Sequence, residues 1–256
     1  MKNIALVISV LALSSCINIS TNIRIAKGPI EERTILIPEG ATALAASSGA
    51  DIIVDCSLAP NQVRVKTHSD IFDILEVEVE NQTLSIAIES CSLRAETFEV
   101  RIPALAYDNI AVSGGCDFEW HNGIAENLAI EASGGTDVEL SGVFTNLSIA
   151  ASGGADANLY YLKAENIDVA ASGGSDVELR GGCTNLSIAA SGGTDVVLDE
   201  LFAENTSVSA SGGSDVSVYA SMSLTINASG GADVYYSGAP TSTNINTSSG
   251  ASVRRK

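Results

Sequence analysis

Positive charge is scarce in this chain: 13 lysines and arginines face 31 aspartates and glutamates over 256 residues, a net charge of −18. So acidic a surface repels nucleic acid and anionic lipid, which argues against both as electrostatic partners. Between residues 105 and 250 the only strong bases are Lys163 and Arg180. Enzymes that cleave acidic polysaccharides need cations to hold substrate charge or to take a proton, so they fit this composition badly. Aromatic residues make up 5% of the chain, with one tryptophan, Trp120, and two histidines, His68 and His121. No CxxC or Cys/His spacing offers zinc ligands, and no Ser/His/Asp or Cys/His arrangement can be assembled. No apolar run reaches the ~20 residues of a membrane-spanning helix. Hydrophobic residues still amount to 45%, too many for a disordered acidic tail.

The first fifteen residues read as an export signal: Lys2 supplies a basic start and Ile4 to Leu13 a short apolar core. Leu13-Ser14-Ser15-Cys16 resembles a bacterial lipobox, in which the cysteine is acylated and becomes the new N-terminus. Two or three acyl chains at Cys16 anchor a protein stably where one would not. The expectation is an exported protein, lipid-anchored in the bacterial envelope at the outer membrane, with the membrane face left open. Residues 16–33 then read as a tether. Four further cysteines remain, and Cys56 and Cys91, each closing a strand-like run, form the candidate disulfide for an oxidising compartment.

What the chain has in abundance is repetition. Ser-Gly-Gly-x-Asp begins at Ser113, Ser133, Ser152, Ser172, Ser191, Ser211 and Ser229, with spacings of 20, 19, 20, 19, 20 and 18 residues. Fourteen of the 23 glycines lie in these doublets. Degenerate copies stand at Ser47–Asp51 and Ser248–Ser252. A fixed period near 20 means one short unit stacked many times. Counted from each Ser, positions −5, −3 and −1 are apolar, as in Leu147, Ile149 and Ala151, and the alternation resumes at +5 and +7, as in Val177 and Leu179. Period two on both sides of a Gly-Gly corner gives two short strands per repeat, each with one buried face. Stacked, they make an all-β fold: a single-stranded parallel β-helix of ~20-residue repeats over residues 105–256. Analogy with known parallel β-helices makes it right-handed. Asn127, Asn146, Asn166, Asn185 and Asn205 at −6 would form an amide ladder. Alternate repeats differ, a 39-residue superperiod that leaves one or two repeats per turn open. Residues 34–104 carry strands without the period and would supply irregular first turns and an N-terminal cap.

The iterated Ala-Ser-Gly-Gly/Ala-x-Asp-Val units, the run Asp73–Val79 followed by Gln82–Ile86, and the closing Ser249–Val253 with its basic tail are together similar to the auto-transporter adhesin head domain called the GIN domain. The resemblance covers residues 34–256. It implies a β-helix and a role in adhesion without catalytic residues. The Gly-Ile-Asn string that names the family is absent, with Ser48–Ile52 near its expected place.

The carboxylates Asp117, Asp137, Asp156, Asp176, Asp195, Asp215 and Asp233 recur at +4 on the outward parity, joined at +6 by Glu119, Glu139 and Glu178. Neighbours ~5 Å apart repel by ~1–3 kcal/mol, depending on the local dielectric. Either each Asp caps its own Gly-Gly corner by accepting backbone N–H bonds, or a cation such as calcium offsets the charge, with these seven as candidate ligands. No cofactor is otherwise implied. Recurrence in every repeat marks a structural position more than a catalytic one. Trp120 falls in the inward +7 column, whereas Tyr160, Tyr219 and Tyr235 fall outward and are candidate contacts for a glycan or protein ligand. The composition and resemblance lead to a non-enzymatic, lipid-anchored adhesin or binding module. A housekeeping lipoprotein facing the periplasm, and behind it a carbohydrate-active β-helix enzyme, are the alternatives.

Overall fold

Each apolar column of the repeat becomes one inward row of a parallel β-solenoid in the computed structural model, which describes residues 23–88 and 92–256. The expected leader, Cys16 and Cys91 lie outside the described residues. Among the described residues there is no helix. Strand Asp117–Ser133 pairs in parallel with Asp137–Ser152, which pairs with Asp156–Gly173, which pairs with Asp176–Gly192. Later turns divide in two: Asp195–Leu198 and Leu201–Gly212, Asp215–Tyr219 and Ser223–Ala228, Asp233–Ser237 and Ser242–Thr247, then Ser252–Arg255. Asp117, Asp137, Asp156, Asp176, Asp195, Asp215 and Asp233 are successive register partners. One repeat therefore makes one turn, and two repeats per turn is excluded.

The interior is built from the alternation. The turn Asp137–Ser152 buries Val138, Leu140, Phe144, Leu147, Ile149 and Ala151. Each large side chain among them stabilises the fold by about 1.5–3 kcal/mol on burial, and its partners are the equivalent residues one turn above and below. Trp120 is buried in the +7 column as its parity requires, with Tyr107 and Phe144 edge-on to it at 6.0 and 6.5 Å.

The alternation of 20 and 19 residues has its cause at the corner after the +7 residue. His121–Asn122 and Tyr160–Tyr161 put two residues there, whereas Ser141 and Arg180 stand alone. In the long corners Asn122 and Tyr161 take left-handed φ values of 56° and 55°. In the short ones the chain is drawn against its neighbour. A Cβ on Gly142 would stand 2.1 Å from the Gly123 oxygen, and one on Gly181 2.2 Å from the Leu162 oxygen. Only glycine fits.

The array starts earlier than its clean repeats. Ala43–Ala46 pairs with Asn109–Ser113, and Asp51–Asp55 lies in register beneath Asp117, so the degenerate copy at 47–51 is a working turn. Thr83–Ile88 and Phe98–Pro103 lie parallel beneath those strands. There the sense reverses. Leu75–Glu80 runs antiparallel on Thr83–Ile88, Gln62–His68 antiparallel on Phe98–Pro103, and Ile30–Leu36 closes the edge of Gln62–His68. The exposed Glu76, Glu78 and Glu80 face solvent on one end strand, a charged edge that discourages pairing with another chain. Ile23–Ile25 pairs with Ser92–Arg94. Residues 23–33, expected as tether, thus belong to the fold, because Ile30–Leu36 finds a free edge on Gln62–His68. Cys56 is exposed with a free thiol. Cys116 and Cys183 are buried, and desolvation raises both thiols, Cys183 to about 12, which leaves them unreactive.

Replacing Gly181 by alanine should destabilise the fold by about 2–3 kcal/mol, since a Cβ would meet backbone with no room to yield. Gly174→Ala, where a Cβ meets nothing within 4 Å, should change stability by no more than about 0.5 kcal/mol. Urea unfolding of the two variants tests the contrast, and equal midpoints would refute the short-corner account.

Candidate functional site

Three outward faces run along the solenoid, and the register decides what each presents. The first carries the aspartates, with Glu119 and Glu139 side by side and Asn158 and Glu178 continuing that column. Of the two readings of this column, capping is not what holds the corners: these carboxylates accept no N–H from their own Gly-Gly turns. The corners are held by backbone, and at the Ser133 corner also by the buried +3 hydroxyl. Asp156, Asp215 and Asp233 donate their own N–H to the carbonyls of Thr136, Thr194 and Ser214 one turn back, at 2.9, 2.9 and 3.0 Å. Gly193 and Gly213 likewise donate to Gly173 and Gly192. Thr136 Oγ1 donates to the Ser133 carbonyl at 2.9 Å. The corner amides are consumed by neighbouring turns, and the +4 parity aims each carboxylate outward. Repulsion is left standing. Burial raises the Asp156 carboxyl, with Asp176 and Asp137 adding to it and the Asp176 N–H of the next turn offsetting part of the rise, and burial followed by Asp117 and Glu99 raises Asp51. Among the described residues no group of three or more His, Cys, Asp or Glu side chains converges to hold a metal ion. The column is a line of single carboxylates, not the cage of six to eight oxygens that calcium favours.

The second face is nearly uncharged. Asn146, Asn166, Asn185 and Asn205 each donate Nδ2 to the Oδ1 of the previous asparagine, beginning at Asn127, over 2.7, 2.8, 2.9 and 3.1 Å. Ser223 closes the ladder on Asn205 at 2.8 Å. A shallow groove of ≈ 440 Å³ follows it, lined by these amides with Asp168, Ser187 and Ser207. The asparagine period in the sequence already pointed to this ladder.

The third face and its corner gather the exposed aromatic and apolar residues. Tyr160 donates to or accepts from His121 Nδ1 at 3.1 Å, while His121 Nε2 meets Glu119 Oε1. Desolvation, then Glu139 and Glu119, raises the Tyr160 phenol. This chain of polar groups lies on an open surface beside no nucleophile. Tyr161 stands 81% exposed, edge-on to Tyr160 at 5.5 Å. Tyr219 lies against Phe202 at 5.2 Å. Tyr235 is elsewhere, on the carboxylate face, with Arg254 and Lys256 each 6.0 Å from its ring centre. The three tyrosines singled out from sequence therefore do not form one site. Sequence reading missed Ile124, Val143, Tyr161 and Phe202, all exposed. Ile124, Val143 and Phe202 share one outward column, and their apolar character at an outward position was the available sign.

Residues 42–240 match the family described as "Putative auto-transporter adhesin, head GIN domain". None of the curated proteins matches the sequence. Solved structures share the fold. One from Parabacteroides distasonis, described as a "putative lipid binding protein", has a TM-score of 0.82 at 20% identity, covering 91% of this chain and 100% of its own. A "putative adhesin" from the same species gives 0.77 at 19% with the same coverage. Another from Parabacteroides merdae gives 0.80 at 12%, covering 91% of this chain and 99% of its own. At such identities the likeness establishes architecture only.

Asp51 and Asp156 have folded-state pKa values above their unfolded ones, so what they contribute is present below the unfolded pKa near 4 and lost as pH rises through the folded value. Asp156→Asn should therefore stabilise the protein at pH 7 by roughly 0.5 kcal/mol, or about 1–2 °C in Tm. The gain should vanish near pH 3.5 and shrink in 1 M NaCl, as screening demands. Thermal melts at both pH values check it; a loss of stability at pH 7 would mean that the hydrogen bond from the Asp176 N–H outweighs burial and repulsion.

Proposed function

Because this chain belongs to the GIN-domain family of auto-transporter adhesin heads, we propose that it is a non-enzymatic binding module, lipid-anchored through Cys16 and displayed from the outer membrane. The observation that carries the proposal is the arrangement of its functional groups. Side chains with binding chemistry recur along the outside of a rigid rod, and the described residues assemble no nucleophile with its base in a cleft. Lys163 and Arg180, the only strong bases between residues 105 and 250, sit outside the aspartate column, and Arg180 is tied to Glu178 and Glu200 at 2.5 and 3.1 Å.

A rod of in-register strands suits display. Each turn is held by its neighbours, so the surface columns keep their spacing. The acidic body, at −18 overall, holds anionic lipid headgroups off and keeps the rod upright. A neutral or cationic partner is the class this field admits.

Two measurements test the reading. Cys16→Ser should move the protein from the membrane fraction to the soluble one. Protease applied to intact cells should remove wild-type protein. Resistance in intact cells with digestion after permeabilisation would place the rod in the periplasm and favour the housekeeping alternative.

A further inference from the structure

One glycine in the outward column of the third face has no structural reason to be glycine. The column reads Ile124, Val143, Lys163, Gly182, Phe202 on successive turns, and every member but Gly182 carries a large side chain. Gly181 beside it is obligatory, because its Cβ would strike the Leu162 backbone. Gly182 is different. Its φ lies outside the left-handed range, and a Cβ there would meet only the Phe202 oxygen at an ordinary 3.6 Å. A β-branched residue would suit a strand better, since glycine weakens a strand interior and often marks a site where a ligand approaches closely.

The missing side chain opens a gap between Lys163 on one turn and Phe202 two turns on, ~9.6 Å along the rod at 4.8 Å per turn. A ring seated between two walls needs about 3.5–4 Å on either side, so the gap admits one ring and not two. Its walls differ in kind. Phe202 is 62% exposed, an aromatic ring braced by Tyr219, which lies nearly perpendicular to it at 5.2 Å. Lys163 is exposed, and among the described residues its ammonium makes no ion pair. Tyr161 rises at the corner of the Lys163 turn. Glu165 and Glu204, both exposed, stand on the same two turns one step before the asparagine ladder.

We propose that the gap over Gly182 binds one pyranose ring of a neutral glycan, a proposal that rests on the binding-module reading and gives it a location and a ligand class. The apolar C–H face of the sugar stacks on Phe202. Its hydroxyl edge accepts hydrogen bonds from Lys163 and donates to the carboxylates of Glu165 and Glu204, which are stronger than neutral ones. Those carboxylates also set the charge of the ligand. A uronate or sialylated ring would face them and the wider acidic field, so the neutral ring is preferred.

The test is an array of immobilised neutral oligosaccharides ending in glucose, galactose, mannose or N-acetylhexosamine, beside uronate- and sialic-acid-terminated ones, probed with the whole chain. Wild type should bind at least one neutral class more strongly than any acidic one. Gly182→Val should lose at least about tenfold in affinity, the worth of about 1.4 kcal/mol, with an unchanged Tm. Phe202→Ala should do the same, keeping the test valid if the first variant folds poorly. Binding that survives both substitutions overturns the site while sparing the module reading. A preference for acidic glycans, or no glycan bound by wild type, overturns the ligand class. The fate of the module reading itself is read separately, from protease access on intact cells.

Discussion

Parallel, in-register stacking of one repeat upon the next is the constraint from which the remaining structure follows. Each turn presents its backbone groups to the turns on either side, so equivalent residues must occupy equivalent places at ~4.8 Å intervals. A residue type that suits a column once suits it every time. The buried columns become isoleucine, valine, leucine and alanine; the corner becomes Gly-Gly; the asparagines link amide to amide. The same rule fixes where side chains cannot exist. Gly142 and Gly181 are pressed on the carbonyls of the turn before because their corners are one residue shorter.

Stacking also repeats what is unfavourable. A carboxylate that would be harmless alone recurs at every turn, and seven of them stand in one line with their corners already satisfied by backbone. Burial first, and the neighbouring carboxylates after it, raise the carboxyl groups of Asp51 and Asp156. The solenoid carries the cost because its core is continuous: burial worth several kcal/mol per turn outweighs repulsion between exposed charges that water and salt attenuate. The acidic face thereby becomes a property of the whole rod, while the neutral and aromatic faces lie around the corner from it.

Much of this was legible in the residues. Period two on each side of Gly-Gly specified strands, the twenty-residue period specified stacking, and parity placed Trp120 inside. The asparagine ladder followed from its spacing. Other parts were hidden. The sequence suggests capping because a turn carboxylate beside two glycines has free amides to accept from when the chain is considered alone; the neighbouring turns take those amides. The start of the fold was placed too late, since Ile30–Leu36 has no period and gains its partner from Gln62–His68, more than twenty residues away. The outward tyrosines were found singly, yet their grouping depends on which turn and corner each occupies.

The sequence by itself determined the β-solenoid, its period, its inward columns and its charge, because each of these depends on residues a few positions apart along one chain. The tertiary structure alone decided that one repeat makes one turn, that the first turn begins at Ala43, that backbone and not aspartate closes each corner, and that Gly182 lies bare between Lys163 and Phe202. Those are relations between turns, set by hydrogen-bond register across a gap of about twenty residues, and no local pattern carries the register.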